Sequence, residues 1–177
     1  MLNMSIMDKF FNDYKKQLFP IGLILILALA RLIPHPPNFT PIIAAAIMSS
    51  YFFKDLKFSL IILIASMFLG DVFIGFYKNM FFVYLSLALI TFTFFKISKK
   101  INLTNLFVYG FCGSFIFYLI SNFGVWFLGD LYVKNLNGLI ECYFLAIPFF
   151  KNTLFSTIIF SYATLIIYKS FTKHQNV

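Results

Sequence analysis

The sequence predicts an all-α membrane protein, a six-transmembrane-helix bundle with both termini on the cytoplasmic side. Three observations carry that prediction. The 177 residues are 61% hydrophobic and only 11% charged, whereas a soluble domain carries about 25% charged residues. The apolar residues fall into runs of membrane-helix length separated by short polar breaks. The lysines and arginines then divide unequally between the two sides that those runs define. One domain is enough for this length. The net charge of +8 reads as a positive-inside bias, so the partner surface expected is a lipid bilayer and no nucleic acid.

The N-terminal 1–17 form a cytoplasmic lead-in. Met4, Met7, Phe11, Tyr14 and Leu18 are spaced by three and four, which places them on one helical face with Lys9, Lys15 and Lys16 elsewhere. This suits an amphipathic helix lying on the inner surface, and a plain polar lead-in fits as well. A rival reading takes Lys15, Lys16, the apolar run and Ala28-Leu29-Ala30 as a signal peptide with its cleavage site.

The transmembrane domain covers 18–171. Residues 18–33 make the first span and 41–53 a shorter second one, with Pro41 suited to a helix first turn. Ala44, Ala45, Ala46, Ser49 and Ser50 give that second span a small-residue face. The third span, 58–77, is interrupted by Gly70, Asp71 and Gly75. The fourth is 80–97, closed by Lys96, Lys99 and Lys100, and the fifth is 106–129. Residues 138–150 are apolar but too few to cross, which predicts an interfacial or re-entrant piece. The sixth span is 153–171, and 172–177 form a basic cytoplasmic tail.

With the N-terminus inside, ten of the 14 basic residues (Lys9, Lys15, Lys16, Lys54, Lys57, Lys96, Lys99, Lys100, Lys169 and Lys173) lie on the inner side. Four lie outside: Arg31, Lys78, Lys134 and Lys151. Every inner loop obeys the bias, which places the chain in a cytoplasmic (inner) membrane with both ends inside.

That orientation gives the polar residues a depth. The stretch 31–41 contains Arg31, His35, Asn38 and four of the six prolines. Proline lacks a backbone donor and biases its predecessor toward extended geometry, so this stretch is a stiff outer loop. Asp71 lies about 20 Å up from the inner face at helical rise, and Asn122 is at a similar height. Trp126, Asp130, Tyr132 and Glu141 cluster above them. Ionisable groups inside a membrane usually face a bundle interior or a wet cavity. Arg31, His35, Asn38, Asp71, Asn122, Trp126, Tyr132 and Glu141 are therefore the candidate solute-binding residues. Each also has a plainer reading. Arg31 can snorkel to headgroups, Asp71 can be a structural partner of Arg31, and Asn122 can bond a neighbouring helix. Trp126 and Tyr132 can belong to the interfacial aromatic belt. Glu141 can be solvated, and His35 can be an ordinary loop residue. The 27 phenylalanines are lipid-facing or core and carry no chemistry.

No phosphate-binding Gly-x-x-x-x-Gly-Lys loop, His-Glu-x-x-His or Gly-x-Ser-x-Gly motif is present. Cys112 sits low in the fifth span and Cys142 high, so neither a disulfide nor a shared metal is expected. No cofactor and no metal site are expected.

Taken together, Arg31 to Pro41, Gly70-Asp71, Ser121-Asn122-Phe123 with Trp126, and Gly138-Leu139 through Cys142-Tyr143 to Ala146-Ile147-Pro148-Phe149-Phe150-Lys151-Asn152 resemble an uncharacterised bacterial membrane family described only as candidate transport proteins. The resemblance covers nearly the whole chain after residue 30. That family is similar in architecture to the substrate-binding S-components of energy-coupling factor (ECF) vitamin transporters. The resemblance implies six helices, an outward-facing site under loops, and a separate membrane coupling subunit with ATPases acting in trans. The small-residue faces at 44–50 and at Gly110, Gly113 and Ser114 would then either dock that partner or pack within the bundle. The family tends to carry an acid early in the last span, where this chain has Leu154-Phe155-Ser156. The function expected is uptake of a small vitamin- or precursor-like solute. The alternatives are an accessory or assembly subunit with a structural Arg31–Asp71 pair, and an intramembrane enzyme.

Overall fold

The computed structural model describes residues 17–53, 55–97 and 101–175. The amphipathic lead-in, the inner-loop residues Lys54, Lys99 and Lys100, and the last two residues lie outside that range. Among the described residues the chain is helical throughout, with seven helices. These are α1 (Gln17–Leu32), α2 (Ile42–Phe52), α3 (Leu56–Ile74), α4 (Met80–Ile97), α5 (Leu103–Leu128), α6 (Leu136–Leu145) and α7 (Ile147–Gln175). Four of them, α3, α4, α5 and α7, are long and apolar enough to cross a membrane.

Side-chain caps set several of the helix starts. Asp55 accepts the Phe58 amide at 2.7 Å to begin α3, Asn102 accepts that of Asn105 at 2.7 Å to begin α5, and Asn135 accepts that of Gly138 at 2.9 Å to begin α6. Gly75, at φ +98°, ends α3 in a conformation that a side chain would strain. The interruption expected at Gly70 and Asp71 does not occur, and α3 runs through both. Asp71 finds its partners on other helices, so its backbone has no reason to leave the helix. The short apolar segment before the last span is a separate helix, α6, which breaks at Ala146. The final helix starts at Ile147, six residues earlier than the sequence predicts, and extends through the expected tail to Gln175.

α2 is the centre of the molecule. Every residue from Ile42 to Ser50 is buried, and α2 packs on α3, α4, α5 and α7. Its alanines and serines allow close helix approach. Ser50 Oγ donates to the carbonyls of Ala46 (3.0 Å) and of Thr91 on α4 (2.9 Å). Ser59 Oγ on α3 reaches the Ser49 carbonyl at 3.3 Å. The small face at 44–50 is thus spent inside the bundle. Gly110 faces Thr157 and Ile158 of α7, and Gly113 faces Ile43, Ile47 and Phe94, so that face is also internal. Ile24 and Ala28 are fully buried, which makes α1 an integral part of the packed core.

The two ends of the bundle are distinguishable by contact. At one end Phe19 stacks on Phe171, and Tyr168 packs on Tyr51 and Phe52. At the other end the Pro-rich loop meets the start of α7. Asn152 Nδ2 donates to the Pro37 carbonyl (2.9 Å) and Ser156 Oγ to the Thr40 carbonyl (3.0 Å). With 11 residues, α2 is about 16 Å long, roughly half of a hydrocarbon core of about 30 Å. Its longer neighbours continue past it, and the space above its N-terminus is left to the loop and to a cavity.

Candidate functional site

Asp71 is fully buried on α3, and Arg31 at the end of α1 places Nη1 2.8 Å from its Oδ1. The same nitrogen lies 3.6 Å from the Met67 sulfur. The Tyr84 hydroxyl on α4 donates to Asp71 Oδ2 at 2.6 Å. Three helices therefore meet at one carboxylate, and the ionic cost of burying it is offset by a cation and a neutral donor. A Cβ on Gly70 would lie 3.7 Å from the Ala28 carbonyl oxygen and 3.9 Å from Arg31 Nη1, ordinary contact distances.

Arg31 also faces a cavity of about 390 Å³. Its floor is Ile42 and Ile43 at the start of α2. Its walls include Ile74, Tyr77, Asn79 and Val83 from the α3–α4 corner, and Phe117, Ser121, Asn122 and Val125 from α5. His35, Asn38 and Thr40 of the Pro-rich loop form its rim, with Thr153 of α7. The loop is held in shape by Asn38, whose φ of +60° is a left-handed conformation that asparagine tolerates. It is also held by the Asn152 and Ser156 bonds to α7. Ser156, in the neighbourhood where the family resemblance suggested an acid, is a buried donor that fastens the rim. Three residues of the loop line the cavity.

Four of the eight sequence-predicted residues, Arg31, His35, Asn38 and Asn122, line this cavity. Asp71 lies directly behind Arg31. The other three are elsewhere. Trp126 Nε1 donates to the Val133 carbonyl at 3.0 Å, and Lys134 stands over its ring and bonds the Trp126 and Gly129 carbonyls. That set closes the α5–α6 turn. Tyr132 lies in the turn itself, and Glu141 is exposed on α6. Asp130, exposed, pairs at 3.7 Å with exposed Lys78, a surface ion pair of little energetic weight. Cys142 lies 3.4 Å from the Asn122 carbonyl, and both cysteines are free.

Sequence reasoning missed Tyr77, Asn79, Ser121 and Thr153 on the cavity wall, and Tyr84 behind it. Asn79 Nδ2 donates to the Ser121 carbonyl at 2.9 Å, tying the α3–α4 corner to α5. Its Oδ1 sits over Gly124, where a Cβ would collide with it and with the Phe82 ring. Tyr77 carries a hydroxyl at the cavity wall, a neutral donor at physiological pH. Asn122 Nδ2 is bonded to the Tyr118 carbonyl at 2.8 Å, which leaves its Oδ1 as the acceptor at the cavity wall.

The lining combines one cation, a few amides and hydroxyls, and an apolar floor. That mixture is characteristic of a small-molecule site. Among the described residues no cluster of three or more His, Cys, Asp or Glu could hold a metal ion. No curated protein and no solved structure matches the chain. A family model matches residues 11–176, and the chain belongs to that family, DUF6580, a family of unknown function.

Proposed function

We propose that this protein is the solute-binding component of a bacterial inner-membrane uptake system, built like an ECF S-component. In that reading α1–α5 and α7 are its six spans and both termini are cytoplasmic. The Arg31 end is the outer one, with α6 at that surface. The observation that carries the reading is the cavity above α2, with Arg31 fixed in its wall by Asp71. A guanidinium held this firmly and still facing a cavity is pre-organised for a ligand. Arg31 and Asn122 meet the solute, with Asn38 and His35 at the entrance, while Asp71 orients Arg31. Trp126 and Tyr132 shape the neighbouring turn. Transport needs a partner in trans, a membrane coupling subunit with ATPases, because the chain carries no phosphate-binding loop of its own. The test is uptake of labelled vitamins and precursors by cells with and without the gene, together with co-purification. Loss of uptake of one solute and recovery of ATPase subunits support the reading. Unchanged uptake of every solute and recovery of an unrelated complex refute it.

A second reading, an accessory subunit in which the Arg31–Asp71 pair only locks α1 to α3, draws on the complete burial of Asp71 and its bond to Tyr84. Exchanging the two residues separates the readings. A structural pair tolerates reversal, whereas a solute site loses its guanidinium from the cavity wall.

A further inference from the structure

The donors and acceptors of the cavity are unequal in number and sign. Among the described residues Arg31 is the single ionic side chain lining the space, apart from the titratable rim residue His35, and no carboxylate lines it. Asp71 is fully buried behind the guanidinium and is engaged by Arg31 Nη1 and the Tyr84 hydroxyl. Nη1 is the nitrogen committed to Asp71 and Met67. The guanidinium carries five donors in all, and Arg31 and Tyr77 both line the cavity.

The floor adds a second set of donors. α2 starts at Pro41 without a side-chain cap. Its first internal bond runs from the Ala45 amide to the Pro41 carbonyl. The amides of Ile42, Ile43 and Ala44 have no acceptor among the described residues, although Ile43 and Ala44 are fully buried. A helix N-terminus buried without partners is unusual, because each orphan donor carries a desolvation penalty. Here two of the three residues, Ile42 and Ile43, line the cavity. The guanidinium and the first turn of α2, independent in origin, thus border the same space. Around them Ile74, Val83, Phe117 and Val125 are apolar.

We infer that the solute carries an oxyanion, a carboxylate or phosphate, on a compact apolar body. This rests on the uptake reading and specifies its substrate. The oxyanion lies between Arg31 and the first turn of α2, with Tyr77 as a further donor. The body fills the side walled by Phe117 and Val125, and the Asn122 Oδ1 accepts from an N–H or O–H of the solute. At about 390 Å³ the space is at the small end of the range of ligand sites, roughly 300–1,000 Å³, which suits a single ring system. Asp71 offsets the long-range attraction of Arg31, so recognition depends on short-range hydrogen bonds to the fork and the helix end.

The experiment uses full-length protein in detergent and a panel of aromatic and alicyclic carboxylates. Each is paired with its carboxamide and its matching phosphate monoester, and thermal shift is followed against concentration. The expected result is that an oxyanion member stabilises the protein at concentrations at least about tenfold lower than its amide, which corresponds to about 1.4 kcal/mol. The carboxylate and phosphate arms identify which oxyanion it is. Arg31→Lys keeps the charge opposite Asp71 and loses the fork, so it abolishes that preference in a protein that still folds. Amides binding as well as the oxyanions overturns this inference and leaves the uptake reading standing. A preference unchanged in Arg31→Lys overturns it too. No stabilisation by any member overturns both.

Discussion

Arg31 on α1 and Asp71 on α3 approach to 2.8 Å, with the carboxylate fully buried and the guanidinium one-tenth exposed at the cavity wall. The pair joins two helices, and Arg31 also lines the cavity, where the uptake reading has it meet the solute. Removing one member leaves the other buried and uncompensated. Asp71→Ala and Arg31→Ala are each expected to cost about 3–5 kcal/mol, measured by unfolding in detergent. Replacing both with apolar residues of similar volume is expected to restore most of that loss and none of the solute binding.

Tyr84 supplies the second bond to Asp71, at 2.6 Å. Tyr84→Phe keeps the ring packed and removes one hydrogen bond to a charged group, so it should destabilise by about 1.5–3 kcal/mol. The same measurement on an Asp71→Asn background should show a smaller effect, because the acceptor is then neutral.

Gly124 lies under Asn79 and Phe82. In Gly124→Ala the new methyl pushes both away, and Asn79 releases the Ser121 carbonyl at the cavity wall. Overpacking of this kind costs about 1–3 kcal/mol. Solute affinity should fall along with the melting temperature. Gly110→Ala provides the contrast, since its Cβ meets Ile158 and Thr157 at 3.5 and 3.7 Å, ordinary contact distances. It should be neutral, or stabilising by up to about 1 kcal/mol through helix propensity.

Asn38 holds the rim in a left-handed conformation. Asn38→Gly should leave stability nearly unchanged, whereas Asn38→Val should cost about 1–2 kcal/mol and weaken solute binding by loosening the loop. Parallel melting curves and binding isotherms check both.

Much of this architecture is legible in the sequence because membrane helices announce themselves by length and polar breaks. α4 runs over the predicted 80–97, bounded by the Lys78-Asn79 turn and a basic run. The central place of α2 is harder to read. Apolar residues face both lipid and core in such a chain, so hydropathy cannot say which helix is enclosed, and the alanine and serine content of 44–50 was the available sign. At the site, Arg31, Asn122 and the Pro-rich loop stand out because charge, amide and proline are rare in apolar runs. Tyr77 and Tyr84 did not stand out among 10 tyrosines, since an aromatic with a polar tip is ordinary at a span end. Trp126 illustrates the same ambiguity, because its indole N–H closes a turn and does not meet the cavity.

The central claim is that the space above α2 is a solute site, and ligand-induced thermal stabilisation of the purified protein, compared with Asn122→Leu, tests it most directly. Asn122 is half-buried, and its side chain bonds the Tyr118 carbonyl of its own helix, so this variant should melt close to the wild type without ligand. The account predicts that at least one small solute raises the wild-type melting temperature and that Asn122→Leu loses that shift. A wild-type protein indifferent to every solute, or a shift that survives intact in Asn122→Leu, would contradict it.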